Sequence, residues 1–426
     1  MTIISTAKLK KLIFKPRLFF SDARYKKLHQ AYQGIYQQAD AAFVQGDIVR
    51  THETLEGLPS NYGHKYLLKT RLALFANEPE AALFASQQAL LLLPAESSSA
   101  KQVFYWHQEA LRSLGRAQEA LHLLQTKPFV DTSSRYYRAL RLIALQLKAP
   151  EIYEQEICTV KPLQSQWLRA RNQYLLLLRD LGQKHQAVQV AKQLYLEVKH
   201  QPRKPTASVS KTRSTQQARA WQAKAAIALS QLKQDLADYG LRFFLVSGTL
   251  LGCVREQRIL GHDTDIDVGF EPGTQKELLS LAVAASARFR QLETSSEHTL
   301  YIEHTNGVKI DLFIHYDEQG LWYHEGIKCR WWNSPCILKK QEFLGEDHWI
   351  PQDYDRYLTE NYGDWRTPVT DFATFLDTPN MQVTQPDTMH LYYLSQAIYH
   401  QRKGQNQHTQ RYLNAVKQLE NQDVHG

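Results

Sequence analysis

No apolar run in this 426-residue chain approaches the roughly 18 residues that a membrane-spanning helix needs. No secretory leader pattern is visible at its start, so a cytoplasmic protein is expected. Cysteine is scarce: Cys158, Cys253, Cys329 and Cys336 are scattered, which excludes a disulfide-built fold and suits a reducing compartment. Cys329 and Cys336 have no second pair of ligands to complete a zinc site. The chain has no Walker-type phosphate loop, and no Ser-His-Asp or Cys-His arrangement at a recognisable spacing. Acids are almost missing from the first 30 positions, where eight Lys and Arg face Asp22 alone. Of the formal charge of +8, that arm holds +7, leaving +1 for residues 31–426. The basicity is therefore local, which argues against a nucleic-acid-binding surface spread over the fold.

The arm, residues 1–30, mixes Leu9, Leu12, Ile13, Leu18, Phe19 and Phe20 with basic residues, and Pro16 divides it. That composition suits an anionic membrane surface, at about 1 kcal/mol per basic residue near the headgroups. A solvated helix packed on the next domain is the plainer alternative. Residues 31–200 read as helical and repeated. Pro59, Pro94, Pro128 and Pro162 recur at spacings of 35, 34 and 34, each after an apolar helical stretch. Leu114-Gly115 and Leu181-Gly182 are each followed by an alanine five residues after the glycine, Ala120 and Ala187, and Gly46 has the same phase. The period and the segment WHQEALRSLGRAQEALHLLQTKP match the tetratricopeptide pattern, so about five stacked helix pairs are expected. Such an array either binds a protein partner or merely positions its neighbour. Residues 201–214 have a linker's Pro, Ser, Thr and basic composition. A helix is expected over 216–239, an irregular aromatic region over 325–380, and a helical tail over 385–426.

The chemistry concentrates in residues 243–270, FFLVSGTLLGCVREQRILGHDTDIDVGF. Phe243 to Val246 read as a buried strand, and Ser247-Gly248-Thr249 as the turn into a helix. Gly248 lets backbone approach a ligand closely, and the N–H groups of a helix start suit a phosphate. Asp263, Asp265 and Asp267 alternate, so in a strand they share one side while Ile266, Val268 and Phe270 share the other. Two such charges ~4 Å apart repel by about 4 kcal/mol at an effective dielectric near 20. Oxygen ligands gathered against that repulsion suit Mg²⁺ or Mn²⁺. Downstream, Asn306-Gly307 predicts a hairpin whose second strand carries Asp311 among apolar residues. If that strand pairs beside the first acidic one, the acids meet.

Ser-Gly, then Asp-x-Asp, then a distant strand aspartate is the pattern of the nucleotidyltransferase-like fold. The wording VSGTLLGCVREQRILGHDTDIDVGF, with Tyr362-Gly363-Asp364-Trp365 near the end, resembles the LicD/fukutin-related family over about residues 215–380. Where that family has Trp-Asp-Asp-Asp-Ile-Asp, this chain has His262-Asp263-Thr264-Asp265-Ile266-Asp267. The resemblance implies transfer of phosphocholine, ribitol phosphate or glycerol phosphate from a CDP-linked donor to a glycan acceptor. Asp265, Asp267 and Asp311, with Asp263 as ligand or support, would hold Mg²⁺ or Mn²⁺, and Asp311 would complete that set or take the acceptor's proton. Ser247, Gly248 and Thr249 would meet donor phosphate. Arg255 would neutralise charge there or lie on a helix surface. The expected class is α+β: an all-α tetratricopeptide-like superhelix, then a nucleotidyltransferase-like mixed-sheet domain over 215–384. Nucleoside monophosphate transfer and an inactive scaffold are the alternatives.

Overall fold

The structure is a computed structural model describing residues 22–127, 133–160, 166–200, 215–261, 263–293, 296, 298–369 and 371–423. The arm before residue 22, the linker 201–214, Pro128, Pro162 and His262 lie outside the described residues. The chain divides into two compact units, Met1–Gln183 and Lys184–Gly426. The boundary leaves the last helix of the expected 31–200 array in the second unit.

The described part of the first unit is helical: α1 (Asp22–Val44), α2 (Ile48–Glu56), α3 (Gly63–Phe75), α4 (Pro79–Leu92), α5 (Ser98–Ser113), α6 (Ala117–Gln125), α7 (Ser134–Gln146), α8 (Pro150–Cys158) and α9 (Trp167–Asp180). One kind of turn closes every odd-numbered helix. A residue at positive φ follows it: Gly46, Asn77, Gly115, Lys148 or Gly182. The next N–H then bonds back to a carbonyl one turn inside the helix: Asp47 to Ala42, Glu78 to Ala73, Arg116 to Leu111, Ala149 to Ala144, Gln183 to Leu178. This closure satisfies carbonyls that the helix end would otherwise orphan. Five residues past each left-handed residue sits a side chain with no exposure: Thr51, Ala82, Ala120, Tyr153 and Ala187. The repeat is therefore one of geometry, kept even where glycine and alanine are absent.

The second unit contains α10 (Lys184–Lys199), α11 (Thr215–Ala237), β1 (Phe244–Leu245), α12 (Ser247–Glu256), β2 (Asp265–Phe270), α13 (Lys276–Ala285), β3 (Phe289–Gln291), β4 (Thr299–His304), β5 (Lys309–Glu318), β6 (Leu321–Glu325), β7 (Cys329–Asn333), β8 (Leu338–Phe343), β9 (Glu346–Pro351), α14 (Tyr354–Tyr362), α15 (Thr374–Asp377), β10 (Met381–Val383), α16 (Pro386–Arg402) and α17 (Asn406–Asp423). The strands form one mixed sheet in the order β10-β7-β6-β5-β2-β1-β9-β8, with β4 on β5 and β3 on β4. β2 runs parallel to β5, and β1 parallel to β9. The expected architecture, a helical region followed by a mixed-sheet domain, is the one observed. Residues 325–380, expected to be irregular, instead hold β7, β8, β9, α14 and α15. The β8–β9 hairpin turns through Leu344-Gly345, both at positive φ. Leucine is so rarely left-handed that its sequence carries no turn signal.

One face of the sheet is apolar. Ile266, Val268 and Phe270 of β2 and Ile310, Leu312 and Ile314 of β5 are wholly buried, in one cluster with Leu229, Leu232 and Leu236 of α11 and with Leu279 and Val283 of α13. Burial of each such side chain contributes about 1.5–3 kcal/mol. That fixes the register, because a one-residue slip would turn the apolar set out and the acids in. α10 packs against α16, and Lys192 pairs with Glu420 of α17 at 2.7 Å.

A lysine held left-handed costs about 1 kcal/mol relative to glycine. Lys148→Gly should therefore stabilise the chain by about that much, and Gly115→Lys should destabilise it by about the same amount. Denaturant unfolding of the two variants checks this. Loss of stability in Lys148→Gly would contradict it.

Candidate active site

The acids come together through sheet register. β2 and β5 lie side by side in parallel, pairing Asp265 with Lys309 and Asp267 with Asp311. Alternate strand residues share a face, so Asp265, Asp267, Lys309 and Asp311 all lie opposite the apolar core. Asp263 precedes the strand, and its carboxylate reaches the same place by another route. A methyl group added to Gly248 would stand 2.8 Å from Asp263 Oδ2 and 3.6 Å from Asp267 Oδ2. Both carboxylates thus close on the bare Cα of Gly248.

The turn before α12 holds this arrangement. Gly248 N–H donates to Asp267 Oδ2 at 3.2 Å, and the Asp267 N–H donates to Thr249 Oγ1 at 2.8 Å. Ser247, not Gly248, takes the left-handed conformation, at φ 49°. Such a φ on a side-chain-bearing residue costs energy and often marks a functional turn. The glycine therefore serves by leaving space, and its N–H serves an aspartate.

Arg255 lies neither on the acids nor on the surface. Its guanidinium donates to the Trp365 carbonyl at 3.1 Å and pairs with Glu256 at 3.2 Å, tying α12 to the Tyr362-Gly363-Asp364-Trp365 segment. Trp365 Nε1 in turn donates to Asp355 Oδ1 at 3.0 Å, and Asp364 accepts from the Thr367 hydroxyl at 2.7 Å.

Electrostatics mark the site as one of crowded like charges. The carboxyl of Asp267 is held well above the usual carboxylate range, first by burial and then by the charges of Asp311, Asp265 and Asp263, with the Gly248 N–H opposing. Asp311 is pushed up to about 7 by burial and by Asp265, with Lys309 opposing. Three tyrosines feel the charge of the acids, and sequence reasoning gave none of them a place in the site. Tyr301 faces Asp311 across the β4–β5 pair. Its phenol is raised by burial and then by Asp311. Tyr362 is raised by burial and by Asp267 and Asp263. Tyr357 is raised by burial, with smaller contributions that include Asp267, and its hydroxyl is buried without a hydrogen-bond partner among the described residues. Pairing of β4 with β5, which the Asn306-Gly307 hairpin implies, is the one sequence signal that leads to Tyr301.

The donor set is all hard oxygen and is crowded with like charges, which fits a divalent cation such as Mg²⁺ or Mn²⁺. Among the described residues, no three Asp, Glu, His or Cys side chains are drawn in closely enough to cage an ion as they stand. Like charges on separate strands resist closer approach.

A half-buried acidic face on a mixed sheet, beside a helix-opening Ser-Gly turn, is the layout of a nucleotidyltransferase domain. Residues 240–359 match the family described as LicD/FKTN/FKRP, nucleotidyltransferase domain. The chain is similar to ribitol-5-phosphate transferase FKTN of Mus musculus, with 28% identity over 161 residues, 35% of this chain and 34% of that protein. It is also similar to the Homo sapiens protein of that name, with 29% identity over 172 residues, 37% of each chain. An uncharacterized protein of Rickettsia prowazekii is 26% identical over 154 residues, 33% of this chain and 56% of its own. The chain thus spans little more than a third of the length of these mammalian relatives.

The raised carboxyls set a stability prediction. Between the ordinary aspartate value of about 4 and the raised values, the folded chain binds more protons than the unfolded one, so stability falls as pH rises through that window. With chelator present, Asp267→Asn should raise the Tm near pH 7.5 by roughly 2–4 °C and leave it nearly unchanged near pH 4. Thermal unfolding at the two pH values checks this. A variant less stable than the parent near pH 7.5 would contradict it.

Proposed function

We propose that the second unit transfers a phospho-substituent from a CDP-linked donor to a hydroxyl of a glycan. The passenger is ribitol phosphate, phosphocholine or glycerol phosphate. The observation that carries the reading is the pairing of Asp267 with Asp311, with Asp267 and Asp263 closing on Gly248, within a domain that matches the LicD family. The name of the mammalian relatives, ribitol-5-phosphate transferase, supports ribitol phosphate as the first passenger to test.

Asp263, Asp265, Asp267 and Asp311 would hold one Mg²⁺ or Mn²⁺, which when bound would neutralise charge on the donor's phosphates. The chain's own residues do the positioning. The Gly248 N–H holds the Asp267 carboxylate, the Thr249 hydroxyl holds the Asp267 backbone N–H, and Ser247 opens the helix whose N-terminus faces the acids. Asp311, on a separate strand beside Tyr301, would complete that ligand set or orient the acceptor hydroxyl and take its proton. Positioning and electrostatics supply most of the catalysis in phosphoryl transfer.

The paired helices of the first unit we read as a tetratricopeptide-like array that docks a protein partner. No described helix is long and apolar enough to cross a membrane. Residues 1–30 would bring the enzyme to the anionic inner face of the cell membrane, where the glycan is assembled.

The test is CMP release by the purified chain with Mg²⁺, offered CDP-ribitol, CDP-choline or CDP-glycerol together with a crude glycan acceptor. One donor should yield CMP, and Asp267→Ala should cut the rate at least about 100-fold with its circular dichroism unchanged. Pyrophosphate release from CTP, with no CMP from any donor, would overturn the reading in favour of nucleotidyl transfer.

A further inference from the structure

The acid-bearing face also carries a cation that no motif singles out. Four neighbouring strands align one row of charges across it: Asp265 on β2, Lys309 on β5, Glu303 on β4 and Arg290 on β3. The next row holds Asp267, Asp311 and Tyr301. Within the first row Glu303 is already engaged, accepting from Arg290 Nε and Nη2 at 2.9 and 2.7 Å. Lys309 is different. It is exposed, and its ammonium has no hydrogen bond or ion pair among the described residues. Its charge nevertheless reaches Asp311, where it opposes the upward shift.

The proposed reaction needs such a group. Four carboxylates repel an anionic donor, at about 4 kcal/mol for each unit pair ~4 Å apart at an effective dielectric near 20. One divalent ion offsets only half of four negative charges, before the donor's own are counted. Arg255 is committed to the Trp365 carbonyl and to Glu256, so its guanidinium is not free to turn to the donor. Lys309 is a point charge on a flexible stem, directly across from Asp265 and two residues before Asp311, and ammonium groups of that kind bind phosphate well.

We propose that Lys309 is a substrate-binding residue that contacts a non-bridging phosphate oxygen of the CDP-linked donor. This rests on the proposed transfer from a CDP donor. It predicts a charge requirement at position 309 rather than a structural one, because the side chain supports no packing or bond that the fold depends on.

The experiment is calorimetric titration of the full chain with CDP and, separately, with inorganic pyrophosphate, both with Mg²⁺. Lys309→Gln should weaken both ligands roughly 10-fold or more, and Lys309→Arg should stay within about 3-fold of the parent, with Tm unchanged in each. In turnover, Lys309→Gln should raise KM for the donor more than it lowers kcat. Undiminished binding of both ligands by Lys309→Gln overturns the assignment of Lys309 and leaves the transferase reading intact. A loss for CDP but not for pyrophosphate also overturns it, since the contact would not be to phosphate. A parent chain that binds neither ligand overturns the CDP-donor reading, and the role of Lys309 with it.

Discussion

Two carboxylates that repel each other, Asp267 and Asp311, are pressed side by side on adjacent parallel strands. The register that puts them there is set on the other face, where Ile266, Val268, Ile310 and Leu312 are wholly buried. Hydrophobic burial therefore forces an electrostatic conflict. The domain keeps the conflict confined: the Gly248 N–H takes one oxygen of Asp267, and the Thr249 hydroxyl receives the Asp267 N–H. The left-handed Ser247 lets the chain turn sharply enough from β1 to bring those groups within reach. Stability given up at one point in this way is expected of a functional site.

The C-terminal part of the domain closes the same centre from another side. Tyr362 ends α14, its phenol raised by burial and by the charges of Asp267 and Asp263, while Arg255 reaches from α12 to the Trp365 carbonyl. The Tyr-Gly-Asp-Trp segment is thus joined to the helix that follows the Ser-Gly turn. Segments roughly a hundred residues apart in sequence become one wall, and this accounts for their joint presence better than a packing role for the tyrosine and tryptophan alone.

Much of this was legible in the sequence, for physical reasons that differ by residue. Alternating acids in a β-branched strand announce their shared face, and Asn306-Gly307 announces the hairpin that delivers Asp311. The left-handed turns at Gly46, Gly115 and Gly182 are readable because glycine belongs there, whereas Asn77 and Lys148 occupy the same conformation with little or no signal. Leu344 hides the β8–β9 hairpin in the same way. Tyr301, Tyr357 and Tyr362 could not be assigned to the site because tyrosine is common in cores, and only strand pairing and helix packing turn these three toward the acids. Arg255 was open between two roles, and its bond to a backbone carbonyl more than a hundred residues away has no sequence signature.

We propose that these aspartates form one divalent-cation site. It is tested most directly by Mn²⁺ binding, followed by electron paramagnetic resonance as loss of the free-ion signal. The account predicts that the parent chain binds Mn²⁺, that Mg²⁺ competes for it, and that Asp267→Asn and Asp311→Asn each abolish binding while the chain stays folded. Undiminished Mn²⁺ binding in both variants would contradict it.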